Sequence, residues 1–208
     1  MLTMINNKQK IIDVAFSLSA KYGFDNVSMK QIQEESGLAI GSIYYHFKNK
    51  DEILEYILRR YLLNGFDQLR NEVKQLDLPI MEKLRFIINY KSNDFATKEV
   101  ISEYALKRPN FSHKDFFVLL TSIYHHHPEI RPIFYELHDE MYDFYYEIVK
   151  KAIENGEIRD DIDIRILIIF IQTSLKGYVD LWVYQPNFTL EELIEDNLQM
   201  IWEAIKKR

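Results

Sequence analysis

The sequence predicts an all-α protein. Apolar residues recur three and four positions apart, strand-like alternation is scarce, and only 6 glycines and 5 prolines interrupt 208 residues. Such spacing places apolar side chains along one face of a helix. Hydrophobic residues make up 47 % of the chain, which suffices for a substantial core. We therefore expect nine or ten helices and no sheet.

The N-terminal segment begins with two predicted helices. The first covers about residues 7–22 and ends at Gly23, because glycine suits the position after a helix. Ser28 and Gln31 match a capping box, in which each residue satisfies a backbone N–H of the other. A short second helix is therefore predicted from this cap to about Glu35.

A tight turn separates the second helix from a third. Gly37, in the sequence SGL, is free to take a positive φ angle, and a short helix follows over about 40–47. Asn49 and Glu52 form a further cap signature. A long helix is therefore predicted over about 50–76, and it would join the two parts of the chain rigidly.

The remaining sequence predicts further helices, separated by the polar breaks KRPNFS, HHHPE, ENGEIRDDID and QPNFT. Thr189 and Glu192 mark the last helix start. The predicted helices lie near 80–95, 97–107, 112–126, 129–155, 163–185 and 189–206. We divide the chain into an N-terminal domain over 1–50, which continues into the connector helix, and a larger helical domain over 51–208.

Composition and charge restrict the possible functions. The chain has no cysteine, which excludes disulfides, thiolate metal sites and a cysteine nucleophile. Its net charge is −6, but residues 1–50 carry +2 and the remainder −8, which suggests a division of labour. No signal peptide is recognised. The apolar run ILIIFIQTSL is too short to cross a bilayer and is interpreted as a buried helix, so we expect a cytoplasmic protein.

Two short helices joined by a glycine-containing turn are typical of a helix-turn-helix, whose second helix enters the DNA major groove. Small residues at its start, Ala39, Gly41 and Ser42, would allow the backbone to approach base edges. The aromatic run that follows offers flat faces for thymine methyl groups and sugars, and polar tips for phosphates. Phe47 is expected to point inward. These features predict double-stranded DNA as a partner.

The stretch SMKQIQEESGLAIGSIYYHFKNKDEILEYIL resembles the N-terminal domain of the TetR repressor family, over about residues 8–62. The resemblance implies an N-terminal helix-turn-helix DNA-binding domain and a larger helical domain for ligand binding and dimerisation. It implies phosphate contacts by Ser28, Lys30, Tyr45 and Lys50. It implies contacts to bases or nearby backbone by Ile40, Gly41, Ser42, Tyr44 and His46. The position of Ile40 is often occupied by a polar residue in relatives that read a base there. Isoleucine would contact the corresponding base only through van der Waals interactions.

The second domain is rich in aromatic residues: residues 80–188 contain nine Phe, nine Tyr and Trp182. The resemblance implies a pocket between its central helices, which would suit an apolar or aromatic small-molecule effector. Candidate ligand-binding residues are Phe86, Tyr90, Tyr104, Phe117, Tyr124, Phe134, Tyr142, Tyr145 and Tyr178. Packing within the core is the alternative role for each of them.

A cluster of histidines suggests a second hypothesis. His125, His126 and His127 are adjacent, with His113 and His138 nearby in sequence. Adjacent helical side chains point about 100° apart and rarely chelate one ion. A solvated helix end, where histidine complements the helix dipole, is the favoured interpretation. A metal-responsive sensor or metal-binding protein is the alternative function, although no metal site or cofactor is predicted.

Catalysis is not predicted. The sequence contains no nucleophile elbow, phosphate-binding glycine loop or zinc-peptidase motif. Acid pairs such as Asp160 and Asp161 fall in a predicted loop and are interpreted as turn and cap residues. A helical enzyme that retained an ancestral DNA-binding fold is left as a third hypothesis.

The last two predicted helices are apolar on wide faces. Two such helices from each of two protomers would form a four-helix bundle with two-fold symmetry. These faces carry Ile166, Ile169, Phe170, Thr173, Gly177 and Leu181, followed by Leu193, Asn197, Met200 and Ile201. Packing within one chain is the alternative. The combined prediction is a homodimeric repressor that binds a palindromic operator and is released by its effector; the DNA motif does not exclude activation.

Overall fold

The computed structural model describes residues 7–93, 113–185 and 187–207, and these contain helices and turns but no strand. Two short 3₁₀ turns, Phe24–Asn26 and Pro128–Ile130, interrupt the helical segments. The α-helices are α1 (Asn7–Tyr22), α2 (Met29–Ser36), α3 (Ile40–His46), α4 (Lys50–Leu58), α5 (Gly65–Gln75), α6 (Ile80–Asn93), α7 (His113–His126), α8 (Arg131–Glu154), α9 (Ile164–Tyr184) and α10 (Leu190–Ile205).

The all-α fold predicted from the sequence is confirmed, and the boundaries of the described helices agree with prediction to within about two residues. The caps explain this agreement. Ser28 and Thr189 each form a capping box, with Gln31 and Glu192 respectively. The predicted helix over 97–107 lies outside the described residues.

The connector predicted over about 50–76 is helical along its length but not uniformly α-helical. Residues Arg59–Asn64 form a π-helical segment between α4 and α5. Such segments are rare in proteins and are frequent at functional sites.

The described chain forms two compact units. The first comprises the residues up to Gly65 together with 113–134, and the second comprises 66–93 together with the residues from 135 onward. The first unit therefore contains α1–α4 and also α7, which is distant in sequence.

The core of the first unit is built around α1. Its apolar face is buried against α2, α3, α4 and α7. The Phe16 ring stacks on Tyr61 with centroids 4.2 Å apart and meets Phe116 of α7 edge-on at 5.6 Å. These aromatic pairs stabilise the unit beyond the area they bury.

In the second unit, α10 packs against α9 and α6. An ion pair between Arg85 and Glu195 joins α6 to α10, with Nη2 of the arginine 3.0 Å from Oε2 of the glutamate. Ile201 and Ile205, at the end of α10, are completely buried.

Helix α9 is buried on one face only. Leu167, Ile168, Ile171, Leu175, Tyr178 and Val179 lie in the core. Its opposite face exposes Ile166, Ile169, Phe170, Leu181 and Tyr184. The helix is long and apolar enough to cross a membrane by length and composition alone, a test that core helices of soluble proteins also pass. The sequence interpretation as a buried helix thus holds for one face of α9 only.

Candidate nucleic-acid interface

Both ends of α2 are fixed by local backbone chemistry. Ser28 Oγ accepts a hydrogen bond from the backbone N–H of Gln31, and the Gln31 side chain accepts one from the backbone N–H of Ser28. Gly37 ends α2 with φ 64° and ψ 18°, in the left-handed region that glycine adopts without strain. The positive φ predicted for Gly37 is confirmed, and it allows α3 to leave α2 at a sharp angle.

Helix α3 has one buried and one exposed face. Ile43 and Phe47 are buried at 0 % and 1 % exposure and anchor the helix on the rest of the unit. Tyr44 and Tyr45 are 53 % and 84 % exposed, and Ile40 is 41 % exposed. Three large apolar side chains are thus exposed on two turns of helix. Such a patch is typical of an interaction surface.

The small residues of α3 leave its exposed side open. A Cβ atom added to Gly41 would meet no atom within 4 Å, and its φ angle lies outside the left-handed region, so the fold itself does not require glycine there. Ser42 is half-buried, and its hydroxyl accepts a hydrogen bond from Asn7 Nδ2 at 3.5 Å. His46 is half-buried and meets the Tyr45 ring edge-on at 5.0 Å.

The cationic residues predicted for this surface have different surroundings. The Lys30 side chain is 81 % exposed and lies 3.8 Å from Glu34. Lys50, by contrast, donates hydrogen bonds from Nζ to the carbonyl oxygens of Phe24 and Asp25, at 3.0 and 3.2 Å. It also lies 4.6 Å from the centroid of the Phe24 ring. In this structure Lys50 therefore ties the start of α4 to the 3₁₀ turn, a structural role that sequence reasoning missed.

A buried polar network joins α1 to the π-helical segment. Asp13 is 2 % exposed, and its Oδ1 accepts hydrogen bonds from Tyr61 Oη and Gln9 Nε2, both at 2.6 Å. Burial, and secondly the nearby Asp13 carboxylate, raise the pKa of the Tyr61 hydroxyl. The sequence signal for this network is an aspartate within the apolar run IIDVAF, but its partner is 48 residues away.

The aromatic residues predicted to bind an effector are distributed over both units. In the first unit Tyr124 meets Phe134 edge-on at 5.3 Å and lies 5.0 Å from the guanidinium of Arg131. Phe134 is buried and Phe117 is half-buried. Tyr104 lies outside the described residues.

The other predicted effector residues lie in the second unit. Phe86 and Tyr90 are half-buried neighbours on α6, with ring centroids 5.9 Å apart. Tyr145 and Tyr178 are buried at 1 % and 4 % exposure, and Tyr142 is half-buried. Burial, and secondly the neighbouring Tyr178, raise the pKa of the Tyr145 hydroxyl. The Tyr145 hydroxyl is therefore neutral at physiological pH.

A cleft of about 610 Å³ lies in the second unit beside the start of α6 and the last turns of α10. Ile80, Met81, Leu198 and Trp202 supply apolar walls, and the Arg85–Glu195 ion pair borders it. None of the eight predicted effector residues that the structure describes lines this cleft.

The histidine cluster does not form a metal site in the part of the chain that the structure describes. No group of three or more His, Asp or Glu side chains there could hold an ion. His127 instead bridges two carboxylates, with Nε2 2.9 Å from Asp25 and Nδ1 3.1 Å from Glu129. The favoured interpretation as a solvated helix end is also incomplete, because the His127 side chain is only 14 % exposed.

A compact helical unit with a capped α2, a left-handed glycine turn and an exposed aromatic α3 is a helix-turn-helix DNA-binding unit. Residues 11–57 match the family described as bacterial regulatory proteins, tetR family. An HTH-type transcriptional regulator from a bovine strain of Staphylococcus aureus is 30 % identical over 150 residues, which cover 70 % of this chain and 69 % of that protein. The chain belongs to the TetR family and is a transcriptional regulator, not an enzyme.

Solved structures share the fold over nearly the whole chain. A fatty acid degradation regulator, FadR from Bacillus halodurans, has a TM-score of 0.74 at 20 % identity and covers 99 % of this chain and 100 % of its own. A transcriptional regulator from Saccharomonospora viridis in complex with choline has a TM-score of 0.76 at 20 % identity, covering 97 % and 98 %. FadR from Bacillus subtilis in complex with stearoyl-CoA has a TM-score of 0.65 at 22 % identity, covering 92 % and 96 %.

Proposed function

We propose that the protein is a homodimeric repressor that binds a palindromic operator and is released by a small apolar or aromatic effector. It would act in the cytoplasm, where the operator is found. The observation that carries the proposal is the exposure of Tyr44 and Tyr45 on a helix whose other face, through Ile43 and Phe47, is fixed in the core.

The exposed side of α3 has the chemistry expected of a major-groove surface. Tyr44 and Ile40 offer apolar faces to thymine methyl groups, and Gly41 leaves space for close approach. The exposed Tyr45 offers its hydroxyl group to a phosphate. Ser28 and Lys30 lie at the start of α2, the helix that crosses the phosphate backbone in this class of domain. Lys50 would contact a phosphate only by sharing its ammonium group with the carbonyls it now binds.

Dimerisation is supported by the exposed apolar stripe of α9. Ile166, Phe170, Leu181 and Tyr184 follow helical spacing on the side opposite the core. Met200 is 64 % exposed on the neighbouring α10. Pairing α9 and α10 with the same helices of a second protomer would cover these side chains in a four-helix bundle. It would also supply two recognition helices, which a palindrome read over about 34–36 Å requires.

A small-molecule effector is supported by the buried and half-buried aromatic residues of the second unit, namely Phe86, Tyr90, Tyr142, Tyr145 and Tyr178. Two proteins of the same fold are described in complex with choline and with stearoyl-CoA, so this fold accommodates small molecules. Native mass spectrometry of the purified protein would report its oligomeric state and any retained ligand together.

Operator binding can be tested with duplexes that the protein selects from a random DNA pool. Replacement of Tyr45 by alanine should weaken binding to the selected duplex by about 1–3 kcal/mol, because it removes a hydrogen bond to a charged phosphate. Fluorescence anisotropy at fixed moderate salt measures this change.

The matched control for Tyr45→Ala is Tyr146→Ala, which removes a 39 % exposed tyrosine from α8. It should leave the affinity unchanged. Equal losses for the two variants, or failure of the wild-type protein to enrich any duplex, would contradict the assignment of α3 as the recognition helix.

A further inference from the structure

The C-terminal end of α7 contacts the 3₁₀ turn Phe24–Asn26, which precedes the helix-turn-helix. His127 Nε2 lies 2.9 Å from Asp25 Oδ1, and His126 Nδ1 lies 3.3 Å from Asp25 Oδ2. One carboxylate thus faces two imidazoles from the same helix end. We call Asp25, His126 and His127 the histidine clamp.

The clamp is reinforced by packing. The His127 ring meets Phe24 edge-on, with centroids 5.3 Å apart. The Lys50 ammonium also lies over the Phe24 ring and donates hydrogen bonds to the carbonyls of Phe24 and Asp25. The 3₁₀ turn is therefore held by α7 and by the first residue of α4 at once.

The clamped turn controls where α2 begins. Asp25 lies three residues before Ser28, the N-cap of α2, and the intervening Val27 is buried at 3 % exposure. A displacement of this turn would move the start of α2 and, through Gly37, the recognition helix α3. The clamp is thus a contact by which a helix distant in sequence can position the DNA-binding surface.

Charge makes this contact sensitive to protonation. A neutral imidazole has one N–H donor, whereas a protonated imidazole has two. Both nitrogens of His127 face carboxylates, those of Asp25 and Glu129, so only the protonated ring can donate to both. The hydrogen bond and the charge of His127 contribute to lowering the pKa of Glu129, after a larger contribution from backbone hydrogen bonding.

Other charged and polar groups also surround the clamp. Arg131 donates hydrogen bonds to the carbonyls of Tyr124 and His125 and so places a positive charge at the same helix end. His126 Nδ1 additionally lies 3.4 Å from Ser122 Oγ. The Lys50 ammonium is held at the carbonyl of Asp25. The two carboxylates are nonetheless the groups in direct contact with both nitrogens of His127.

We propose that the histidine clamp positions the helix-turn-helix and makes operator affinity depend on pH, as a second input beside the small-molecule effector. Asp25 and His127 act as positioning residues and do not contact DNA. Protonation of the clamp at low pH holds the turn in the arrangement described above, and deprotonation releases it. The inference rests on the proposed DNA-binding function.

The first test does not require DNA. The melting temperatures of the wild type, Asp25→Asn and His127→Gln are measured between about pH 5.5 and about pH 8, the range over which histidine titrates. The bridge stabilises the fold while the ring is protonated and is lost as pH rises. The wild type should therefore lose about 2–4 °C more than either variant over this range.

The second test measures affinity for the selected duplex over the same pH range. The wild-type dissociation constant should rise about three- to fivefold more than that of Asp25→Asn or His127→Gln, as expected for a partly exposed ion pair. Effects of groups outside the clamp are common to all proteins and cancel in the comparison. His125→Gln, which changes the neighbouring imidazole outside the clamp, is the matched control and should behave as the wild type.

The outcomes separate the two proposals. Coincident pH profiles of the wild type and Asp25→Asn in both tests would overturn the clamp. A pH-dependent difference in melting temperature with no difference in affinity would also overturn it, because the contact would then be merely structural. If the melting difference is present and no duplex is selected, the proposed function fails while the protonation-dependent contact is supported.

Discussion

At the scale of single residues, Asp13 is a buried polar side chain that joins two elements through its hydrogen bonds. A polar side chain at 2 % exposure is unfavourable unless it is hydrogen-bonded. Tyr61 and Gln9 provide the compensation through two hydrogen bonds of 2.6 Å. The bond from Tyr61 spans 48 residues and joins α1 to the π-helical segment after α4, so it fixes the connector against the DNA-binding helices.

We expect Tyr61→Phe to lower the free energy of unfolding by about 1–3 kcal/mol, because it removes one of the hydrogen-bond donors of the buried Asp13 carboxyl group. Urea denaturation measures the change. Tyr22→Phe, at a tyrosine that is 46 % exposed, is the control and should stay within about 0.5 kcal/mol of the wild type. A loss equal to that of the control would show that the hydrogen bond contributes nothing to stability.

The same residue predicts a response to alkaline pH. Burial, and secondly Asp13, raise the pKa of Tyr61 above its ordinary value of about 10, so the folded state retains this proton more tightly than the unfolded state. Its contribution to stability is full below about pH 10 and is lost as pH rises further. Above about pH 10 the wild type should therefore lose stability faster than Tyr61→Phe, whereas parallel curves would contradict this assignment. Tyr145 titrates in both proteins and cancels in the difference.

At the scale of elements, the turn at Gly37 determines the angle between α2 and α3. Its left-handed φ of 64° is the reason for glycine, because an added Cβ would meet no atom within 4 Å. The cost of any other residue there is thus conformational and not steric crowding by neighbours. Gly41 differs from Gly37, because its φ angle lies outside the left-handed region and is accessible to other residues.

We expect Gly37→Ala to destabilise the protein by about 1–2 kcal/mol, the cost of the left-handed region for an L-residue. Gly37→Asn should cost less, because asparagine tolerates this region better than alanine. Thermal or urea unfolding of the two variants gives the order. A larger loss for asparagine would indicate that the turn changes conformation instead of bearing strain.

At the scale of the whole molecule, the exposed stripe of α9 is the feature that one protomer leaves unexplained. Gly177 lies on this stripe and is exposed, and a Cβ added there would meet nothing within 4 Å. Packing within the single chain therefore does not require glycine at this position. In a two-fold bundle, a glycine at the stripe would allow the two copies of α9 to approach closely.

We expect Gly177→Trp to yield monomers, because a large side chain at the helix crossing would separate the protomers. Analytical ultracentrifugation measures the change, and operator affinity should fall with it because a single recognition helix remains. Gly177→Ala is the control: it should preserve the dimer and stabilise α9 by up to about 1 kcal/mol through helix propensity. A dimer that survives the tryptophan substitution would place the interface elsewhere.

Effector release, if it occurs as proposed, also belongs to this scale. A ligand shifts the protein from mostly DNA-bound to mostly DNA-free only if it binds the released conformation about 10⁴-fold more tightly, a difference of about 5.5 kcal/mol. A protonation-dependent clamp would add to or subtract from this difference. The two inputs would then be measurable as shifts of one equilibrium.

The sequence by itself determined the elements and the surface of α3. Capping boxes at Ser28 and Thr189, the glycine turn and helical periodicity act over three to seven residues, so their outcome can be read locally. The same local chemistry predicted that Phe47 points inward. The dense similarity over α1–α4 predicted the family, which the comparisons confirm.

Only the tertiary structure decided which distant residues meet. It placed α7 in the same compact unit as α1–α4, gave Lys50 a structural role, and brought His127 to Asp25 across 102 residues. Local patterns carry no information on these contacts, because hydrogen bonds and ion pairs between elements depend on how whole helices pack. The histidine run therefore predicted a helix end correctly but not the carboxylate that the helix end binds.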